Sequence, residues 1–314
     1  MFPTRILLAA EGSEDAKRAI KTAIGLSTKL ESELLVVYVA PEHPYVYAYY
    51  DLRHQEEEER LRRGDQRVLD ECVDHVRKAG GTVTESYLRV GDAAKEIVEL
   101  AEELEVGLVV LGSRGLGGIR RALMGSVSTS VLRHAHCSVL IVRGYGSEQE
   151  QVYPPGKILV AMDGSEEASA AARVATELAK ATGSEVHLVY AMQEDRYRPH
   201  LGPEIWEGWV EGFERAKRSA RSWVEDQAEL LVQCEGTKTV ESHLILGRPD
   251  AAIVWLAQEI SAGLVVLGSR GLGGMRRALI GSVSDSVVRH AHCPVMVVRS
   301  EKARSVEHEA DLLT

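Results

Sequence analysis

Leu108-Val109-Val110-Leu111-Gly112-Ser113-Arg114-Gly115, then nine residues, then Gly125-Ser126-Val127-Ser128: this stretch recurs as Leu264-Val265-Val266-Leu267-Gly268-Ser269-Arg270-Gly271 and Gly281-Ser282-Val283-Ser284. Laid against each other without a gap, residues 107–143 and 263–299 differ at seven positions. The apolar run is short, β-branched and closed by glycine, which suits a buried parallel strand better than a helix. A glycine-rich turn leaving such a strand can take positive φ and let backbone N–H groups approach an anion with no Cβ in the way. Gly125-Ser126 and Gly281-Ser282 read as helix starts with serine as the N-cap, and Asp285 completes a capping-box-like pattern in the second copy. Helix N-termini attract phosphate. Turn and helix start together would hold a polyphosphate from two sides.

The duplication extends outward from this stretch. Residues 5–10 read as a first strand, followed by Glu11-Gly12-Ser13-Glu14 and an alanine-rich helix to about Leu30; residues 157–162, then Asp163-Gly164-Ser165-Glu166 and a helix to about Thr182, are the counterpart. Residues 34–39 and 186–191 are second strands. Less regular stretches follow at 41–53 and 193–207, the first carrying Tyr45, Tyr47, Tyr49 and Tyr50. A long helix comes after each. Leu61, Val68, Leu69, Cys72, Val73 and Val76 share one face of the first, and Trp209, Phe213, Ala216, Ala220 and Trp223 one face of the second. Glu56, Glu58 and Glu59 precede Arg60, Arg62 and Arg63 by four residues, the mark of a solvated helix face. Third strands at 83–90 and 239–246, helices at 93–105 and 250–261, and fifth strands at 139–143 and 295–299 complete two copies of one plan. The expected domains are 1–146 and 157–300, with a Gly- and Pro-bearing linker over 147–156 and a charged tail over 301–314. Strands alternating with helices imply α/β units, each a parallel sheet covered on both faces through right-handed crossovers.

At 314 residues, 45% hydrophobic and 27% charged, the chain has apolar material for a core in each half. The formal charge of −10 argues against a grip on nucleic acid, which needs a clustered basic face. No apolar run approaches the roughly 20 residues of a membrane span, and Met1-Phe2-Pro3-Thr4-Arg5 leads into a strand rather than a signal peptide. A cytoplasmic protein is expected. Cys72, Cys137, Cys234 and Cys293 match no disulfide framework, in keeping with a reducing compartment.

Gly-x2-Gly-x9-Gly-Ser with an acidic residue after the first strand resembles the ATP-binding branch of the universal stress protein family, and the resemblance covers nearly the whole chain twice. It implies a strand order of 3-2-1-4-5, five strands per doubly wound unit, and ATP with Mg2+ at the switch between strands 1 and 4. By resemblance, backbone N–H groups around Gly112, Gly115, Gly125, Ser126, Val127 and Ser128, and around Gly268, Gly271, Gly281, Ser282, Val283 and Ser284, hold the phosphates. An aspartate after strand 1 contacts the adenosine part. Asp163 matches it and Glu11 departs by one methylene. Val39 and Ala191, at the ends of the second strands, would lie beside the base. Family members pair through their fifth strands, which implies a pseudo-dimer within the chain and association of two chains into a homodimer. The family's regulatory role, nucleotide occupancy altering conformation or partner affinity in a stress response, is the expected function; the partner is not named by any residue.

Simpler readings stand beside these. Arg114 and Arg270 fall where the family places a variable residue near the phosphates, and are equally read as solvated arginines beside a turn; Arg120-Arg121 and Arg276-Arg277 are weaker candidates. Glu11 and Asp163 also suit helix N-caps. His134, His136 and Cys137, with His290, His292 and Cys293, end helices, where imidazole complements the negative terminus, and no second ligand pair makes them a zinc site. The tyrosines after Pro41 read as a packed surface loop or a cover for the first crevice. No Gly-x4-Gly-Lys-Ser/Thr is present, no Gly-x-Ser-x-Gly nucleophile elbow, and Gly115-Leu116-Gly117-Gly118 does not complete a dinucleotide fingerprint. The ligand is expected to be held rather than consumed, the rivals being a slow ATPase or nucleotide transferase and a scaffold independent of nucleotide.

Overall fold

A computed structural model describes residues 3–42, 52–113, 124–143, 153–193, 206–235, 240–272 and 280–300. The chain separates into two compact units, Met1–Ser147 and Glu148–Thr314. The first runs β1 (Arg5–Ala9), α1 (Glu14–Leu30), β2 (Glu33–Ala40), α2 (Leu52–Lys78), β3 (Glu85–Val90), α3 (Ala93–Glu103), β4 (Leu108–Gly112), α4 (Ser126–His134), β5 (Ser138–Val142). The second repeats it: β6 (Lys157–Met162), α5 (Glu166–Thr182), β7 (Glu185–Met192), α6 (Trp206–Glu235), β8 (Val240–Leu246), α7 (Pro249–Glu259), β9 (Leu264–Gly268), α8 (Ser282–His290), β10 (Val295–Val298). Outside the described residues lie Tyr45, Tyr47, Tyr49, Tyr50, Arg114, Gly115, both arginine pairs, residues 144–152 and the tail from 301 on, as does the side chain of Trp209.

The strand order is β3-β2-β1-β4-β5 in the first unit and β8-β7-β6-β9-β10 in the second, and the pairs within each unit are parallel. After β1 the chain winds outward through β2 and β3, then crosses back to β4. Connections therefore leave the carboxyl ends of β1 and β4 in opposite directions, which opens a crevice there, and β6 and β9 repeat the arrangement.

Central strands are apolar throughout because helices cover both faces. Leu7, Leu8, Val109 and Val110, and Leu159, Val160, Val265 and Val266, are fully buried. Each such side chain contributes about 1.5–3 kcal/mol relative to an exposed one. Ala16, Ala19, Ile20, Ala23, Leu26 and Leu30 form the buried stripe of α1, and α5 repeats it with Ala168, Ala171, Ala172, Ala175, Leu178 and Ala179. Both helices start alike: Ser13 Oγ accepts from Ala16 N–H at 3.2 Å and Ser165 Oγ from Ala168 N–H at 3.1 Å.

Several element ends shift by one or two residues from the sequence pattern. α3 and α7 stop at Glu103 and Glu259 because Glu105 and Ser261 take left-handed φ of 50° and 54°, which no α-helix continues. On α2, Leu69, Cys72, Val73 and Val76 are buried while Leu61 and Val68 are half-buried. Its Glu59–Arg63 pair, 2.6 Å apart and largely exposed, adds little to stability.

Candidate functional site

In the second unit the crevice is built around Asp163, the first residue after β6. Its Oδ1 accepts from Ser165 N–H at 2.9 Å, bending the chain into α5 through Gly164 at φ +86°. Its Oδ2 accepts from Leu272 N–H at 3.1 Å, so the carboxylate spans from β6 to the loop leaving β9. Gly271 makes this possible, since a Cβ there would collide with Asp163 Oδ2. Asp163 is thus not the N-cap of α5, a role held by Ser165, and in the first unit Ser13 caps α1 in place of Glu11. Ser13 Oγ donates to Glu11 Oε1 at 3.1 Å. Val39 and Ala191 occupy the carboxyl ends of β2 and β7, paired with Arg89 and Ile245.

The helix starts facing the crevice differ from the sequence reading in two respects, the cap residue and the role of Asp285. Gly125 and Gly281, not the serines, are the N-caps of α4 and α8, and no side chain caps either helix. Ser126 and Ser282 are the first helical residues, and both are exposed. The phase is set two residues on: Ser128 Oγ donates to Gly112 O at 2.8 Å, and Ser284 Oγ to Gly268 O at 2.7 Å. Each tie draws the helix start onto the end of β4 or β9. Gly125 N–H and Gly281 N–H donate to Ser113 O and Ser269 O at 2.8 and 2.7 Å. The following N–H groups, at Ser126, Val127 and Ser128 and at Ser282, Val283 and Ser284, have no acceptor within their own helix by geometry. They carry the positive end of the macrodipole toward the crevice. Asp285 does not complete a capping box; it forms a two-pronged pair with Arg289, at 2.8 and 3.1 Å.

Close packing, rather than positive φ, accounts for Gly112, Gly268 and Gly271. Gly112, Gly125, Gly268, Gly271 and Gly281 are not among the residues with positive φ. A Cβ on Gly112 would lie 3.0 Å from Asp15 C, and one on Gly268 would lie 2.8 Å from Glu167 C, so the first turns of α1 and α5 rest directly on β4 and β9. Ser113 Oγ donates to the buried Asp15 Oδ2 at 2.8 Å in the first unit. In the second, Glu167 stands at the place of Asp15 and its Oε1 lies 3.6 Å from Arg270 Nε, so part of that guanidinium's charge faces the protein's own carboxylate.

Aromatic groups beside the crevice escape the sequence pattern. Tyr190, next to Ala191, packs edge-on against Trp223 of α6 at 5.3 Å between ring centroids, and Trp223 also approaches Gly164. Tyr38 is the counterpart in the first unit; burial, then Asp65, Cys72 and Glu11, push its hydroxyl above its usual pKa. The signal available was a tyrosine at the same place in both second strands.

The helix-end histidines behave as capping groups. His134 Nδ1 lies 2.8 Å from Ser130 O and His290 Nδ1 lies 2.7 Å from Ser286 O, each one turn back along its own helix. Cys72, Cys137 and Cys293 are buried thiols outside any disulfide, with burial pushing Cys72 to about 11 and Cys293 to about 12. Among the described residues no helix is long and apolar enough to cross a membrane.

A sequence model described as the Universal stress protein family matches residues 3–143 and again 155–299. A universal stress protein of Mycolicibacterium smegmatis is 26% identical over 303 residues, covering 94% of this chain and 96% of its own length. One from Mycobacterium tuberculosis is 32% identical over 201 residues, 62% of this chain and 59% of its own. The crystal structure of a universal stress protein from Archaeoglobus fulgidus superposes with a TM-score of 0.65 at 23% identity, covering 94% of this chain and 96% of that one, a likeness of fold.

Proposed function

This chain belongs to the universal stress protein family through both of its halves, and from that premise we propose that each unit binds ATP at the switch between its first and fourth strands. The observation that carries the reading is the pair of uncapped helix starts, each tied by a serine hydroxyl to the last carbonyl of the fourth strand. Three N–H groups at each start meet the phosphates: those of Ser126, Val127 and Ser128, and those of Ser282, Val283 and Ser284. Gly271 and Arg270 flank the phosphates in the second unit, Asp163 meets the ribose, and Ala191 lies beside the base. Glu11 and Val39 take these last two places in the first. The triphosphate would bring Mg2+, which would supply counter-charge, and the protein's own oxygen donors toward it would be the hydroxyls of the exposed Ser126 and Ser282.

Held this way, the nucleotide acts as a signal rather than a substrate, and its occupancy alters conformation or affinity for a regulatory partner. Calorimetry on nucleotide-stripped full-length protein tests the reading: saturable ATP binding is expected, and its absence at millimolar ligand ends the proposal. Mass spectrometry of whatever nucleotide co-purifies identifies the base, which phosphate-binding amides do not read.

A further inference from the structure

Away from both crevices, the second unit buries a histidine on β7. His187 is 2% exposed, and its Nε2 has no hydrogen-bond partner. An unsatisfied polar atom is costly to bury, so such an atom calls for a physical reason. Leu35 pairs with Glu85, and Val37 with Tyr87, across β2 and β3; the same register in the second unit sets His187 opposite Glu241 and Val189 opposite His243. In the first unit this spot is a leucine beside a tyrosine whose hydroxyl donates to Glu85. In the second, leucine and tyrosine are replaced by two histidines, and the glutamate is kept.

Three donor atoms converge as a result. His187 Nδ1 lies 3.1 Å from His243 Nε2 and 3.4 Å from Glu241 Oε2, and those two lie 4.0 Å apart. Bonds of about 2.0–2.2 Å in a tetrahedral zinc site put neighbouring ligand atoms about 3.3–3.6 Å apart. The three observed separations straddle that edge length, so a cation centred on the triangle needs side-chain shifts of tenths of an ångström. Glu185 Oε2, 3.7 Å from His187 Nε2, stands where an outer carboxylate accepts the other ring N–H of a metal-bound imidazole. Metal on Nδ1 fixes the proton on Nε2 and gives that buried atom its partner. The entry side is open, since the Glu241 side chain is 61% exposed.

We propose that the second unit carries a divalent transition-metal site of the zinc class, with His187 Nδ1, His243 Nε2 and Glu241 Oε2 as ligands and water in the fourth position. Two imidazoles and one carboxylate select zinc, cobalt, nickel or copper over magnesium and calcium, which take oxygen donors. Bound metal clamps the edge strand β8 to β7. The site lies near the amino-terminal half of β7, whereas the nucleotide crevice is at the carboxyl ends, so the two readings stand or fall separately.

The test uses tag-free, nucleotide-stripped full-length protein, equilibrated with Zn2+ and then dialysed against metal-free buffer. Elemental analysis is expected to find about one retained equivalent per chain, and Co2+ in its place to give visible bands of four-coordinate intensity. His187→Leu and His243→Tyr install the residues of the first unit and so preserve a packed fold, checked by melting without metal. Each is expected to abolish retention, and Glu185→Gln to weaken zinc about 10–100-fold. Zinc also raises the parent's melting temperature and leaves that of His187→Leu unchanged. Failure of the parent to retain zinc, or equal retention by parent, His187→Leu and Glu241→Gln, overturns the proposal.

Discussion

Replacing Gly268 by alanine probes the packing beneath the second crevice. A Cβ there would lie 2.7 Å from Glu167 Cβ, 2.8 Å from Glu167 C and 3.0 Å from Ala168 N. Two of these atoms are backbone in the first turn of α5, so no rotamer change relieves the overlap and the helix must back away from β9. Overpacking by one methyl costs about 1–3 kcal/mol, and a backbone neighbour places this case near about 2 kcal/mol. At about 2–4 °C per kcal/mol for a unit of this size, the midpoint falls by about 4–8 °C. All four tryptophans, Trp206, Trp209, Trp223 and Trp255, belong to the second unit, so tryptophan fluorescence during heating or urea titration reports that unit. Gly112→Ala, where Asp15 C and Cβ lie 3.0 Å away, destabilises the first unit by a smaller amount, visible in circular dichroism. Gly156→Ala, with nothing within 4 Å, is the control. If the fluorescence midpoint of Gly268→Ala falls no further than that of Gly156→Ala, close approach of α5 is not what glycine at the end of β9 provides.

Asp163→Ala removes the acceptor for Ser165 and Leu272 N–H groups and should weaken one of two ATP sites by about tenfold, near 1.5 kcal/mol; an unchanged two-site isotherm contradicts its assigned role. Gly212 lies inside α6 with nothing within 4 Å, so Gly212→Ala should stabilise the second unit by about 0.5–1 kcal/mol, read as a higher urea midpoint. Burial alone would raise the Asp250 pKa, but hydrogen bonds from Ser286, Arg248 and the Ala251 amide outweigh it and hold the carboxyl below its ordinary value. A lowered folded-state pKa contributes stability that is present above the ordinary value and lost as pH falls through the folded one. The difference in urea midpoint between parent and Asp250→Asn should therefore be largest near neutrality and shrink below about pH 4, the ordinary carboxylate range; a difference independent of pH rules out the linkage.

Much of the site was legible in the chain because its parts are short-range. Asp163-Gly164-Ser165-Glu166 announces a strand end and a helix start within four residues, and the structure uses it so. What local pattern left undecided was phase. Gly125-Ser126 and Gly281-Ser282 admit either residue as N-cap, since both types suit that position. The choice falls to glycine because Ser128 and Ser284 reach back 16 residues to Gly112 O and Gly268 O, a bond no local pattern encodes. The helix that Gly268 packs against is hidden for the same reason. A turn glycine and a glycine pressed against a helix look identical until the helix is in place.

The sequence alone determined that the chain is one α/β plan written twice, because apolar runs, caps and glycine spacing are properties of neighbouring residues and a duplication is visible by alignment of the chain with itself. It also identified the helix starts that face the crevice. Tertiary structure alone decided which distant atoms meet: Asp163 with Leu272, 109 residues apart, and His187 with His243, 56 apart. Strand register brings those groups together, and register is a long-range choice set by burial of whole faces rather than by any one residue.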